Sequence, residues 1–426
     1  MASMTTRRRS LIGLGLGTAA ATFGLAATRA TGAAAAQHSG PRPAAIGAAP
    51  PPIGAAERQM RLHKASERLA ATGHGALLVE AGSTLTYLTG IDWWRSERLT
   101  AAVVGANGKV LIVTPGFEQP SIEEMLVVPA EVRVWQEDED PAALITGWLE
   151  ENGLSSRPLA IEPTVRFFAV QALRDLSGRI DIRSGAPIVN DLRMIKSPAE
   201  LALMQHAADI TQAAYRTVGP QIRAGMSKAD IFALMQAEMA ARGGENPSGG
   251  VQIGEGSALP HGSKKIETVA EGSTILMDCG CRVDGYYADI SRTMVFGEPS
   301  ARQRQVWEQV RKGQSVAMEA ARIGRTAGSV DDAVRSYYES LGWGPGYATP
   351  GLPHRTGHGI GLDIHEPVNL VHGEETRLRP GMCFSNEPGL YIPGEFGVRL
   401  EDCFYMTAEG PRYFTQPPPS IDEPFA

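Results

Sequence analysis

Met277-Asp278-Cys279-Gly280-Cys281-Arg282-Val283-Asp284-Gly285-Tyr286-Tyr287-Ala288-Asp289-Ile290-Ser291-Arg292 is the stretch on which the reading of this 426-residue chain turns. Thr274 to Met277 before it, and Ile290 and Thr293 at its end, have the apolar and β-branched character of strands, and Arg282 to Gly285 reads as a turn. A hairpin centred between Val283 and Asp284 sets Asp278 directly opposite Asp289 on one face. The two Cβ atoms would then lie about 4.5–5.5 Å apart. Two carboxylates that close repel each other unless a cation sits between them.

The arrangement occurs a second time. Tyr391-Ile392-Pro393-Gly394-Glu395-Phe396-Gly397 is a turn flanked by apolar residues, and a hairpin centred on Gly394 pairs Glu387 with Glu401. Histidines gather nearby: five of the nine fall after residue 260, and His354, His358 and His365 share the segment His354-Arg355-Thr356-Gly357-His358-Gly359-Ile360-Gly361-Leu362-Asp363-Ile364-His365-Glu366. Its glycines rule out a continuous helix and hence the helical zinc motif. They are expected to let the backbone approach a metal or a substrate. Four carboxylates and an imidazole suit a pair of hard to borderline divalent ions such as Mn, Co, Fe or Zn, which together activate water. The opposing reading makes these acids surface salt bridges and polar hairpin faces.

Outward from the site, the length allows two domains with proper cores, and 43% hydrophobic with 20% charged residues is a globular composition. Residues 1–36 differ from the rest: Arg7, Arg8, Arg9 and Arg29, no acid, an apolar run rich in Gly and Ala from Leu11 to Ala27, and small residues at Ala34-Ala35-Ala36. Arg8-Arg9-Ser10-Leu11-Ile12 fits a twin-arginine export signal, which implies a periplasmic or secreted protein. The run is too short and too poor in Leu and Ile to span a bilayer comfortably, so no stable membrane insertion is expected. Without those four arginines the 40 basic residues fall to 36 against 47 acidic ones, a balance that argues against nucleic acid as a partner. Cys279, Cys281, Cys383 and Cys403 are too few and too clustered for a disulfide framework and read as buried thiols.

The chain divides accordingly into a signal over 1–36, a Pro/Ala-rich linker over 37–54 (Pro41, Pro43, Pro50, Pro51, Pro52), an α/β domain over 55–187, an α+β domain over 188–410, and an irregular Pro-rich tail over 411–426. In the first domain Gly75–Glu80, Ala101–Val104, Val110–Thr114, Val132–Trp135 and Leu159–Ile161 read as strands, with a hairpin turn at Asn107-Gly108. Helices are expected at about 57–72, Pro141–Glu151 and Phe167–Leu176. In the second, Ser197 with Pro198 and Glu200 marks a helix start, and so does Ser227 with Asp230. That helix closes at Gly243-Gly244, and further helices cover roughly 302–322 and 329–341.

Taken together, Met277-Asp278-Cys279-Gly280, Asp289-Ile290-Ser291-Arg292-Thr293, His354 to His365, Asn386-Glu387-Pro388-Gly389 and Arg399-Leu400-Glu401-Asp402 resemble the pita-bread metallopeptidase family, which includes methionine aminopeptidase, Xaa-Pro aminopeptidase, prolidase and creatinase. The likeness runs from about 60 to 408. Leu88-Thr89-Gly90-Ile91-Asp92-Trp93-Trp94 resembles the creatinase/prolidase N-terminal domain, which methionine aminopeptidases lack. The resemblance implies a creatinase-N-like α/β domain followed by a pita-bread catalytic domain, two divalent metal ions with manganese foremost and cobalt, zinc or iron as others, and a homodimer. Carried over residue by residue, it makes Asp278, Asp289, His358, Glu387 and Glu401 metal ligands, with Asp289 and Glu401 bridging. Glu387 is then also the general base and proton shuttle, His261 lies near the scissile bond, and His365 steadies the tetrahedral intermediate. His354 and Arg399 fall around the substrate pocket, while Asp363 and Glu366 are structural. Ser291 stands where many relatives have Thr and keeps the hydroxyl. Trp93 and Trp94 are placed either in core packing, at a dimer contact, or at a partner's pocket.

The expected activity is hydrolysis of Xaa-Pro bonds in a proline-containing peptide or dipeptide, by an aminopeptidase or dipeptidase. The rivals are a same-fold enzyme on a non-peptide substrate (a creatinase-like or ectoine-type C–N hydrolase, or a lyase) and a non-catalytic peptide-binding module. The sequence leaves open whether an anionic substrate end meets Arg355, Arg399 or neither.

Overall fold

Five or six consecutive buried residues in each of β1 (Ala76–Glu80), β2 (Ala101–Gly105) and β3 (Val110–Pro115) mark strands covered on both faces. In the computed structural model, which describes residues 46–177 and 180–425, they form the centre of a six-stranded sheet. β4 (Glu131–Trp135), β5 (Leu159–Ile161) and β6 (Ile182–Ser184) complete it in the order β4-β3-β2-β1-β5-β6. The β1–β2 and β2–β3 pairs are antiparallel, the second closing around Asn107-Gly108, and the other pairs are parallel. Helices α1 (Ala55–Ala71), α2 (Ser83–Thr89), α3 (Gln119–Met125), α4 (Pro141–Glu151) and α5 (Phe167–Ser177) accompany this sheet. Leu78, Val103 and Trp148 fill a core on one of its faces, while Leu77 and Val79 join the larger core shared with the second domain.

Helix α6 (Ala186–Arg193) spans the expected boundary between 187 and 188 and leads into α7 (Pro198–Val218). Ser197 and Glu200 close a capping box at the start of α7, and Ser227 and Asp230 do the same for α8 (Lys228–Ala241). Each box satisfies two orphan N–H groups and is worth about 1 kcal/mol. Beyond them, α9 (Ala301–Ala320) and α10 (Gly328–Ser340) flank the remaining sheets. No helix among the described residues is long and apolar enough to cross a membrane.

Three strand groups carry the second domain. β7 (Glu245–Ile253), β8 (Thr274–Val283) and β10 (Ile290–Val295) form one sheet, with the short β9 (Tyr286–Tyr287) paired to β8. β11 (Gly357–Gly359), β12 (Glu366–Leu370) and β13 (Cys383–Asn386) belong to a second sheet, and β14 (Gly389–Ile392) and β15 (Phe396–Arg399) form a two-stranded ribbon. β16 (Asp402–Thr407) and β17 (Gly410–Tyr413) complete the second sheet in the order β12-β11-β13-β16-β17.

The two hairpins bear differently on the expected pairings. In the first, Asp284 (φ 48°) and Gly285 (φ 81°) are both left-handed, so Asp-Gly itself is the two-residue turn, as a type I′ hairpin requires. The register therefore centres one residue later than expected. Ser291 faces Asp278, and Asp289 sits in the break between β9 and β10, diagonal to Asp278 but still on its face. In the second, Gly389 pairs with Arg399 and Asn386 with Asp402. Both ladders share the register centred on Gly394, and Glu387 and Glu401 fall opposite each other in the gap between them.

Two other expectations change. A Cβ on Gly357 would lie 2.1 Å from Ser385 O, and one on Gly359 would lie 2.6 Å from Glu366 O, so these glycines make room for neighbouring strands rather than for a ligand. The tail from 411 begins in β17 and is not wholly irregular, because Phe414 and Ile421 are buried and Phe425 stacks on Tyr215. Residues 1–36, with the expected signal, and the first part of the 37–54 linker lie outside the described residues. The remainder of the linker has no regular structure, yet Ile53 is buried and its N–H donates to Asp284 Oδ2 at 2.9 Å. All four cysteines are buried free thiols.

An ion cluster centred on the buried Glu366 joins the two halves at the end of the His354–His365 segment. Glu366 accepts from Arg193 Nη2 at 2.5 Å and from Lys196 Nζ at 2.9 Å, Arg193 also reaches Asp363 Oδ2 at 2.8 Å, and Ser83 Oγ donates to Asp363 Oδ1.

Candidate metal centre and substrate cavity

The two hairpins meet at a single bridge. Ser291 N–H donates to Glu401 O and Glu401 N–H to Ser291 O, at 3.3 and 3.0 Å. That bridge brings the carboxylate-bearing face of the first sheet against the Glu387/Glu401 gap, and β11 delivers His358 from the third side. Asp278, Asp289, His358, Glu387 and Glu401 line one cavity of about 160 Å³ together with His261, His365 and Arg399. Ligand atoms of Asp289, His358 and Glu401 lie within 4.8 Å of one another, and His358 Nε2 is 3.4 Å from Glu387 Oε1 and 3.8 Å from Asp289 Oδ2.

The hydrogen bonds set the state of each group. His358 Nδ1 faces Gly359 O at 3.0 Å; a carbonyl can only accept, so Nδ1 carries the proton and the Nε2 lone pair faces the acids. Burial, and then His365, push His358 down to about 3, which keeps it neutral. Burial first, and then the charges of Asp278 and Glu387, hold the Asp289 carboxyl well above the usual range. Glu401 is raised likewise by burial and by Asp289, and burial pushes Glu387 up to about 7. Glu401 Oε1 is buried with no hydrogen-bond partner.

Acids this costly to ionise, an imidazole presenting a bare lone pair and an orphaned carboxylate oxygen are the donor set a divalent cation requires. The five residues fit such a centre.

Arg399 is only 4% exposed, and each of its nitrogens is engaged. Nη2 meets Asp278 Oδ2 at 2.6 Å, Nε donates to Ser291 Oγ at 2.9 Å, and Nη1 reaches Tyr391 Oη and Pro260 O at 3.3 Å each. Ser291 Oγ lies 3.0 Å from Asp278 Oδ1 and 2.7 Å from Glu401 Oε2, so the hydroxyl retained there ties a carboxylate of each hairpin. As placed, Arg399 orients Asp278 and the cavity wall rather than offering a free fork.

A wider cavity of about 430 Å³ opens beside the first, lined by Pro260, His261, His354, Arg355, His365, Val371, Glu387 and Arg399. His354 Nδ1 faces Arg355 O at 2.8 Å, so Nε2 accepts from Tyr391 Oη at 2.9 Å. His261 and His365 are exposed at the mouth. His365 packs edge-on against His358 with ring centres 4.3 Å apart, and burial and then the Arg355 guanidinium lower its pKa. Trp93 and Trp94 stack at 4.2 Å, with Trp94 64% exposed.

Sequence reasoning singled out every residue of the smaller cavity except Ser248, Gly249, Gly280 and Ile364. In the larger network it missed Tyr391. The register of the second hairpin contained the signal, because Tyr391 alternates onto the face of Glu387 and Arg399.

Comparison with known proteins agrees with this architecture. The family model described as metallopeptidase family M24 matches residues 202–408, and the creatinase/prolidase N-terminal domain matches 61–195. The chain is 32% identical over 371 residues to a protein named Xaa-Pro dipeptidase from Lactobacillus helveticus, covering 84% of this chain and 96% of that one. The crystal structure of dipeptidase PepE from Mycobacterium ulcerans superposes with TM-score 0.79 at 30% identity, covering 86% of this chain and 98% of that one. That of a recombinant prolidase from Thermococcus sibiricus gives 0.77 at 27% identity, covering 84% and 97%.

Proposed function

The chain belongs to metallopeptidase family M24, and from that premise we propose that it is an exopeptidase that hydrolyses Xaa-Pro bonds in the manner of the Xaa-Pro dipeptidases it is similar to. The carrying observation is the convergence of Asp278, Asp289, His358, Glu387 and Glu401 on one cavity, with Glu401 Oε1 left without a protein partner. The family implies a dinuclear metal site, which these five residues would hold; manganese is our choice of ion. Bound divalent ions there polarise the scissile carbonyl and acidify water.

The chain's own groups supply the rest. Glu387, at the junction of the two cavities, takes the proton of the attacking water and passes it to the proline nitrogen as that nitrogen leaves. His365 donates to the oxygen that gains charge in the tetrahedral stage, and His261 lies beside the scissile bond. His354, with Nε2 fixed by Tyr391, forms the substrate wall, and Arg399 holds Asp278 in place. The reading extends to domains over 55–187 and 188–410, to a homodimer in which Trp94 contributes contact surface, and to export by the twin-arginine route through residues 1–36.

The test is a panel of Xaa-Pro dipeptides, Xaa-Pro-Yaa peptides, creatine and ectoine, each assayed with Mn, Co and Zn. Cleavage of an Xaa-Pro bond, lost in Asp289→Ala, is expected. Turnover of creatine or ectoine alone, or full activity in Asp289→Ala, would overturn it.

A further inference from the structure

The segment from Phe414 to Phe425 lies beyond the residues that the M24 model matches, yet it reaches the back of both hairpins that carry the metal ligands. At the second hairpin the contact runs through a buried ion pair. Thr415 Oγ1 donates to Asp402 Oδ1 at 2.6 Å, and Arg292 Nη2 meets the same oxygen at 2.7 Å. Arg292 Nη1 then donates to the carbonyls of Ser291 and Glu401, at 3.0 and 2.8 Å. Those two residues form the bridge that joins the hairpins. The other oxygen of Asp402 accepts from Gln314 Nε2 at 3.1 Å, and the same nitrogen reaches Asn386 O, next to Glu387, at 3.2 Å.

At the first hairpin the contact is aromatic. Phe425 stacks on Tyr215 with ring centres 6.0 Å apart. Tyr215 Oη lies 3.0 Å from Met277 O and 2.7 Å from Ile290 O, the residues that adjoin Asp278 and Asp289. A Cβ on Gly219 would lie 2.3 Å from the Phe425 ring, so the seat is shaped for it. Between these two anchors the backbone is pinned by α7 and α9: Gln205 donates to Phe414 O, Gln212 to Gln416 O and Arg311 to Pro418 O.

A buried ion pair is a poor source of stability compared with apolar packing, and this one directs its donors at the backbone of a metal ligand. A close-packed interior transmits small displacements, and metal affinity depends on the groups that orient the ligands. Resting on the metal-centre reading above, we propose that this tail positions the metal centre from behind, through Thr415 and Phe425. Neither side chain lines either cavity. Thr415 acts through Asp402 and Arg292 on the Ser291–Glu401 bridge, and Phe425 acts through Tyr215 on the strands that carry Asp278 and Asp289. The tail thereby sets the spacing of the two carboxylate faces.

The experiment titrates the full chain, stripped of metal, with manganese by calorimetry and records its melting temperature before metal is added. The set is wild type, Thr415→Val, Thr415→Ser, Phe425→Ala and the surface control Arg304→Met, which releases Asp422 of the tail without touching either network. The manganese Kd should rise about tenfold or more in Thr415→Val, as when an outer partner of a metal ligand is lost. It should stay near the wild-type value in Thr415→Ser, which keeps the hydroxyl, and in Arg304→Met. Phe425→Ala should weaken binding too, and because Phe425 is half-buried at the surface this variant carries the test if Thr415→Val does not fold. A lower melting temperature with Kd unchanged in both Thr415→Val and Phe425→Ala is the signature of a merely structural strap and overturns the inference. So does an equal rise of Kd in Arg304→Met. Those outcomes leave the metal-centre reading standing, whereas a wild type that binds no manganese, cobalt or zinc defeats that reading and the inference with it.

Discussion

Replacing Glu366 by Gln removes one negative charge from the point where the N-terminal half grips the His365 segment. Glu366 is 5% exposed, and its oxygens take Arg193 Nη2, Lys196 Nζ and the Asp363 N–H. Burial works against its ionisation, but Arg193 and then Lys196 outweigh it and hold the carboxyl at about 2 instead of 4.5. That depression corresponds to about 3 kcal/mol of folding stability. Breaking one partner of a buried ion pair costs about 3–5 kcal/mol by general experience, so the two routes agree. Because the folded value lies below the unfolded one, the contribution is complete above about pH 5 and drains away as pH falls towards 2. Urea unfolding followed by tryptophan fluorescence at pH 7 should place Glu366→Gln about 3 kcal/mol below wild type, a midpoint shift of roughly 1 M, and the gap should narrow on acidification. A gap under about 1 kcal/mol at pH 7, or one that does not change between pH 7 and 3.5, refutes the reasoning.

Tyr391→Phe strips His354 Nε2 and Arg399 Nη1 of a buried partner. A stability loss of about 1–3 kcal/mol and a roughly tenfold fall in kcat/KM are expected, read by urea unfolding and by peptide assay. Chelation should lower the melting temperature. Re-addition of manganese at about a hundred times its Kd should restore about 2.7 kcal/mol in wild type and much less in Asp289→Ala, as calorimetry will measure.

The sequence made the carboxylate faces legible because strand alternation needs only local information. Asp278, Asp289, Glu387 and Glu401 carry their own flanking strand and turn signals, and the second hairpin has the register those signals imply. The first hairpin is displaced because Asp284 and Gly285 both adopt positive φ and so claim the turn positions themselves, a preference readable in the Asp-Gly pair. The capping boxes at Ser197 and Ser227 were equally local. What the chain could not disclose was long-range pairing. The Ser291–Glu401 bridge joins residues more than a hundred apart, and Ser83 of the first domain donates to Asp363 of the second. Whether Arg355 or Arg399 keeps a free guanidinium depends on such contacts, and the fold spends Arg399 internally.

The gap that holds Glu387 against Glu401 is flanked on both sides by ladders of one register. The ribbon beyond it acts as a caliper whose arm length is free and whose alignment is not. Residues at the tip, Pro393 to Glu395, can be exchanged or lengthened without reaching the jaws. A single residue gained or lost within Gly389–Ile392 alone would slide one jaw past the other and turn its side chains to the opposite face. Lineages that tinker with this hairpin are therefore expected to vary its tip and to change its two arms in step.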